Sequence, residues 1–506
     1  MTTATASTQP DLSPQLAQLT FASAAEQARA LAEGRVTATA LLEHSLARIA
    51  LHDPAFNLVA VRDFEQARAA ARAADEALAR GERKPLLGVP ITVKESFDVQ
   101  GLVTATGNPT HVENVAAEDS WVVRALREAG AVVLGKSNVP VGLADLQSYN
   151  PLYGVSNNPW NVARTPGGSS GGSAGVLAAG YVALELGSDI GGSIRIPAHF
   201  NGVYGHKPTQ GLIGLRGAGL PAGRVADRDL SVAGPLARTA ADLALALDLL
   251  LNLDPLQAKA WRATLPPTRH QRLADYRVLV LDQWPGTERS VGERVAIERV
   301  VERLRTQGSQ VLRTSDLPAG LLPDLGEAHR IYRSLLGSSL AEPPALSAGA
   351  QARLDALQPD DHSADAAWLR SFSLSHRAWL HDNEARLKLR QQWEALFGVV
   401  DVVVTPVLAT QAFAHNHSEP KDERSYPVAF EGGSRQVRFL DLFTWAGLPV
   451  LPGLPATSFP LGLDDDGLPI GAQAVGAYLE DHTTIHFAHL LEQVYGGFQV
   501  PPGLEA

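Results

Sequence analysis

The sequence predicts an α/β protein, with a large mixed, mostly parallel sheet covered by helices on both faces. Three observations carry this. Short apolar, β-branched runs alternate with longer stretches of helical period. No repeat of 20–50 residues is present, which excludes a solenoid or propeller. No Gly/Ser- or Pro-rich linker divides the 506 residues, so the chain reads as one domain, 1–506.

The elements follow in order. The first twenty residues are rich in Ala, Thr, Ser and Pro and are expected to be ordered only by docking. Leu and Ala at i, i+3, i+4 spacing predict helices over about 22–34, 37–51 and 63–81, an N-terminal helical segment within 1–80. LLGVPITVKES (86–96) predicts a buried strand. SWVVRALREAGAVVLGKSN (120–138) predicts a helix, a break at Gly130 and a strand. YVALELGSD (181–189) predicts a third strand running into a Gly-containing turn. These lie in a core segment, 81–250. From 255 to 400 we expect a helical elaboration over the active site: a strand at 276–284, a helix at 292–307, irregular chain over 309–362 and one long helix over 364–396. The chain then returns to the core sheet over 398–500, through the strand GVVDVVVTPV (398–407) and a turn-rich strand pair within 447–476, turning at Gly467.

Composition narrows the function. The chain is 45% hydrophobic and 19% charged, with a net charge of −11 and no Lys/Arg run, which argues against nucleic-acid binding. No window approaches 18 uninterrupted apolar residues, and the start lacks a basic and then apolar leader pattern. A cytoplasmic protein without a membrane span is therefore expected. Cysteine is absent, which excludes disulfides, thiolate metal sites and a Cys nucleophile. Lysine is scarce beside arginine, so Lys94, inside the apolar PITVKES, stands out.

Two glycine-flanked serine clusters carry the chemistry. GGSSGGSAG (167–175) is no linker, because it runs between Trp160 and the apolar VLAAGYVALEL. It also lacks the spacing and lysine of a phosphate-binding loop. Ser193, 24 positions beyond Ser169, follows Gly191 and Gly192 in GSDIGGSIRIP. Such a turn can aim several backbone N–H groups at one point, as an oxyanion hole requires. A serine nucleophile needs a base. His199 is six residues on, and Lys94 is the other candidate, since burial lowers a lysine pKa enough for it to act as a base near neutrality. The plainer alternative is that Lys94 extends from a strand end into water.

At this point the sequence resembles the amidase signature family. The likeness rests on PITVKES, on YGVSNNPWNVARTPGGSSGGSAG, on DIGGSIRIP and on YGHKPTQG, in this order and spacing. It runs from about 25 to 250 and resumes in VVDVVVTPV and GLPATSFPLGLDDDGLPIGAQAVG. It implies the amidase signature fold, with a sheet of about eleven strands, and a Ser–cis-Ser–Lys triad. Ser193 would be the nucleophile and Ser169 the relay, joined to Gly168 by a cis peptide bond. Lys94 would be the base. The backbone N–H groups of Ile190, Gly191, Gly192 and Ser193 would form the oxyanion hole, with Ser170, Asp189 and Arg195 in support. No cofactor and no metal is implied, and His415 and His417 in AHNHSEP read as loop histidines.

The family's substrates include anilides, fatty-acid amides, carbamates and glutamine, and esters yield to the same acyl chemistry. KSNVP and NPLYG resemble the fatty acid amide hydrolase branch and place Leu143, Ala144 and Asp145 near an acyl pocket. Tyr149 and Trp445 are further substrate-binding candidates. The reading is a small-molecule hydrophobic or aryl amide, with carbamates and esters as alternatives. A different class stays open, membership of a glutamine-dependent tRNA amidotransferase complex. The resemblance also carries an expectation of a homodimer.

Overall fold

A computed structural model describes residues 13–219, 224–340 and 346–505. The sequence expectation for residues 1–12 lies outside them. The strands are β1 (Val59–Arg62), β2 (Pro90–Lys94), β3 (Val132–Ser137), β4 (Tyr149–Asn150), β5 (Gly154–Val155), β6 (Leu184–Asp189), β7 (Tyr204–Lys207), β8 (Val232–Ala237), β9 (Arg277–Val280), β10 (Gln310–Leu312), β11 (Val402–Pro406), β12 (Ser425–Phe430), β13 (Gly433–Arg438), β14 (Ala456–Leu463) and β15 (Pro469–Val475).

Eleven of them form one mixed sheet in the order β1-β3-β2-β6-β8-β7-β14-β15-β11-β9-β10. The expectation of a mostly parallel sheet needs correction. Parallel pairing is confined to β3–β2–β6 and β11–β9–β10, and the six other neighbouring pairs are antiparallel. One cause is local: Gly467, at φ +75°, turns β14 directly back into β15, and a tight turn can join only antiparallel strands. The central strands β2, β3, β6, β8 and β11 are covered on both faces, which accounts for their continuous apolar character.

The N-terminal helices lie close to their expected places, at Ala24–Ala32, Ala38–Phe56 and Phe64–Ala79. The second runs through Pro54 and ends where Asn57 adopts φ +52°. Ser120 caps the helix Trp121–Glu128 by accepting from the Val123 amide, and Gly130 separates it from β3. Within 255–400 the expected strand is present as β9 on the sheet edge, where β10 joins it, and two readings are revised. The chain expected to be irregular over 309–362 contains the helices Leu325–Ser338 and Ala348–Asp355. The single helix expected over 364–396 is two, Ala364–Ser371 and His376–Phe397, because Ser375 caps the second by accepting from Ala378. Among the described residues no helix is long and apolar enough to cross a membrane.

One apolar core lies between the sheet and the N- and C-terminal helices. A second, with Trp284, Tyr332, Trp393 and Trp445, and a third, with Phe200, Phe413, Tyr426 and Phe439, meet at Phe443. Gly191 of one glycine-serine cluster lies beside Phe443, and Gly167 of the other lies against Phe200.

Candidate active site

Strands β2 and β6 are parallel neighbours, so their C-terminal ends lie together. Lys94 closes β2, and Ser188 and Asp189 close β6. The segment Gly167–Ser170 leads into the helix Gly171–Ala178 above these ends. Its small residues are required by close approach. A side chain at Gly168 would fall 2.4 Å from the Asp145 carbonyl oxygen, and one at Gly172 would fall 2.3 Å from the Asn138 nitrogen. The Gly168–Ser169 peptide bond is cis.

Lys94 is fully buried. Its Nζ lies 2.7 Å from Ser169 Oγ, 2.9 Å from Ser170 Oγ and 2.9 Å from Ser188 Oγ. Burial pulls its pKa down to about 7, against the opposing pull of Asp189 and Glu185. The lysine is thus held among hydroxyl groups, and among the described residues no carboxylate is hydrogen-bonded to it. It does not reach water, so the plainer alternative does not describe it. Sequence reasoning passed over Ser188, whose signal was only its place before Asp189.

Ser193 is half-buried, unlike Ser169 and Ser170, which are buried. The Ser170 amide donates to the Ser193 carbonyl oxygen at 3.1 Å, tying the two clusters together. The turn before Ser193 is braced by Asp189. Its carboxylate accepts from the amides of Gly192 (2.8 Å) and Ile194 (3.1 Å) and pairs in two places with Arg195, at 2.9 and 3.0 Å. Burial alone would raise the Asp189 pKa, but Arg195 and these amides outweigh it and hold the carboxyl below its ordinary value. Arg195 also donates to Gln473 (2.8 Å), whose amide nitrogen donates to Thr405, Pro406 and Trp445. Asp189 thus takes the amide of Gly192, one of the four donors expected for an oxyanion. Gly191 leaves room for Tyr332 and Phe443, which lie 2.8 and 3.3 Å from where its Cβ would be.

His199 does not serve Ser193. Its Nδ1 accepts from the Gly471 amide at 2.8 Å, its Nε2 faces the Thr410 carbonyl oxygen, and burial pushes its pKa down to about 4. His415 and His417 stand with rings 5.4 Å apart, and no metal-binding group of three His, Asp or Glu residues occurs among the described residues.

The expected substrate residues divide. Leu143 is partly exposed in a short turn at φ +62°. The Ala144 carbonyl oxygen accepts from Lys421. Asp145 and Tyr149 are both engaged by Arg424, at 2.6 and 2.7 Å, and Tyr149 stacks on His417. Arg424 thus holds one Asp145 oxygen and the Tyr149 hydroxyl within the protein, while the Asp145 backbone packs against Gly168. Trp445 donates to Glu293 at 2.6 Å and lines a cleft of about 700 Å³ with Trp284, His329, Arg333 and Phe430. Ser193 is not among the lining residues of this cleft. Phe443 lies beside Gly191 and, in the chain, between cleft-lining Leu442 and Thr444.

The amidase family pattern matches residues 40–485. The chain is 36% identical over 478 residues to a putative amidase, AmiB2, of Mycobacterium tuberculosis (strain ATCC 25618 / H37Rv), covering 94% of this chain and 96% of that protein. It is 32% identical over 492 residues to a glutamyl-tRNA(Gln) amidotransferase subunit of Prochlorococcus marinus (strain MIT 9303), covering 93% and 96%. The crystal structure of a bacterial aryl acylamidase shares the fold at a TM-score of 0.76 and 22% identity, over 94% of this chain and 96% of that one. With a buried lysine among serines at the ends of β2 and β6, and with a family match across most of its length, the chain belongs to the amidase signature family of amide-hydrolysing enzymes.

Proposed function

We propose that the protein hydrolyses linear carboxylic amides through an acyl-enzyme on Ser193, with Ser169 as relay and Lys94 as base. The observation that carries this reading is the buried Lys94 Nζ placed 2.7 Å from Ser169 Oγ. Ser193 Oγ attacks the amide carbonyl carbon and gives its proton to Ser169, which passes its own to neutral Lys94. The carbonyl oxygen becomes an oxyanion facing the amides of Ile190, Gly191 and Ser193, and each such donor contributes about 2.7–4 kcal/mol to the transition state. The C–N bond then breaks, and the leaving nitrogen takes the proton back from Lys94 through Ser169. Water repeats the sequence on the acyl-enzyme, releasing the carboxylic acid and restoring Ser193. Asp189 and Arg195 hold the turn.

For substrates we propose hydrophobic or aryl amides. The support is the aromatic cleft beyond Phe443, where Trp284 and Trp445 meet edge to face at 5.3 Å. Carbamates and esters fall to the same machinery. The similarity to amidotransferase subunits supports a second reading, glutamine hydrolysis within a complex. Purified protein assayed on anilides, aliphatic amides, aryl carbamates, esters and glutamine separates these readings. Hydrolysis of anilides by the isolated chain is expected, and glutaminase activity that appears only with added partner subunits would select the second. Ser193→Ala should remove turnover and acyl-enzyme formation without unfolding the protein. Lys94→Ala should slow acylation at neutral pH by about 10²–10⁴-fold. Wild-type rates in either variant would defeat the triad.

A further inference from the structure

A buried acid lies near Lys94 that the mechanism above does not use. Glu185 is on β6, directly opposite Thr92 of β2 in the parallel pairing. Successive side chains of a strand alternate between faces, so Glu185 shares the sheet face of Thr92 and Lys94. It is 1% exposed. Among the described residues, neither of its carboxyl oxygens has a hydrogen-bond partner. The hydroxyls of Ser137, Thr92 and Ser173 lie around it and hold its pKa down against burial, and Ser137 and Ser173 bond to each other at 2.8 Å. No described arginine or lysine pairs with it directly. An unpaired buried carboxylate is costly unless it takes a proton or shares charge with a neighbour.

We propose that Glu185 is a positioning residue for catalysis: its carboxyl and the Lys94 amine, on one sheet face but not in direct contact, form an electrostatic pair in which the charge of the acid sets the proton affinity of the base beneath the first turn of the helix Gly171–Ala178. The inference rests on Lys94 being the base. The charged surroundings support the pairing. Asp189, the other acid acting on Lys94, is neutralised by Arg195. Lys207 on β7 acts on Asp189 and Arg195 rather than on Glu185. β3 presents Ser137, the segment ahead of the helix presents Ser169 and Ser170, the helix presents Ser173, and β8 presents Leu236 opposite Glu185. Lys136 is turned to Val103 and Thr104. Burial raises the Glu185 pKa and lowers that of Lys94, and the charge of Glu185 acts on Lys94 against its burial. When Glu185 is ionised it favours the ammonium, and when it is protonated it favours the free amine that catalysis needs.

The test is the pH dependence of kcat/KM, or of Ser193 acylation by a fluorophosphonate, in wild type and Glu185→Gln. Glutamine keeps the shape and removes the negative charge, so Lys94 should lose its proton more readily. The rising acid limb should move to lower pH by about one unit, and Glu185→Asp should return it towards wild type. Superimposable limbs in wild type and Glu185→Gln would overturn the inference. Infrared difference spectra supply a second readout that needs no activity and no folded Gln variant. Wild type should show a buried carboxylic C=O band titrating near neutral pH, and in Lys94→Ala its midpoint should rise as the neighbouring positive charge is lost. Absence of the band, or an unmoved midpoint, would also overturn it. Active Ser193→Ala or Lys94→Ala would defeat the triad reading instead, and the infrared titration would still report on the pair.

Discussion

At the residue scale the site turns on a lysine that burial makes a base. Ordinary lysine is protonated at neutral pH, whereas Lys94, surrounded by three serine hydroxyls, is close to half-ionised there. The form that accepts a proton from Ser169 grows as pH rises. We therefore expect kcat/KM to increase from pH 6 to 8 along a limb centred near 7, measured on a neutral substrate; a flat profile would show that Lys94 does not titrate in the free enzyme. Lys94, Ser169 and Ser193 stood out in the sequence because a charged residue in PITVKES and serines among glycines break local rules. Glu185 and Ser188 did not stand out, because each occupies an ordinary strand position. Only the pairing of β2 with β6 shows what they face.

At the element scale, the glycines decide how closely segments approach. Gly168 lies against the backbone of Asp145 and Gln147, where no flexible side chain is available to yield. Gly168→Ala should therefore lower stability by about 1–3 kcal/mol and reduce activity beyond what stability explains, measured by denaturant unfolding beside the rate at full folding. Strongly patterned elements were legible in the sequence: the alternation around Gly130, the turn at Gly467 and the helices before residue 80. Less legible were Leu325–Ser338 and the break at Ser375. Proline and small polar residues around the first mask its period, and the helical residues on both sides of the second hide the cap. The sheet's antiparallel centre was equally hidden, because strand direction across β8–β7–β14 depends on long connections.

At the scale of the whole molecule, buried charge shapes pH stability. Lys94, Lys136 and Lys207 are all fully buried, with pKa values lowered by burial to about 7, 8 and 7 from 10.5. Between about pH 8 and 10 the unfolded chain binds more protons at these lysines than the folded one. Their contribution to stability therefore rises with pH, by at most about 1.4 kcal/mol per unit for each group. Lys207→Met should flatten this rise in chemical denaturation measured at pH 8 and 9.5; an unchanged slope would mean the lysine is charged in the folded state. Distance along the chain has its own consequence. The proposed nucleophile, relay and base are all translated by residue 193, yet Arg195 finds Gln473 only across 278 positions. A nascent chain halted before β15 would carry every reactive side chain of the proposed triad and lack the strand that locks Arg195, and through it Asp189, in place. β15 thus separates a peptide holding a serine, a serine and a lysine from a braced hydrolase, and it leaves the ribosome only after every residue of the proposed triad.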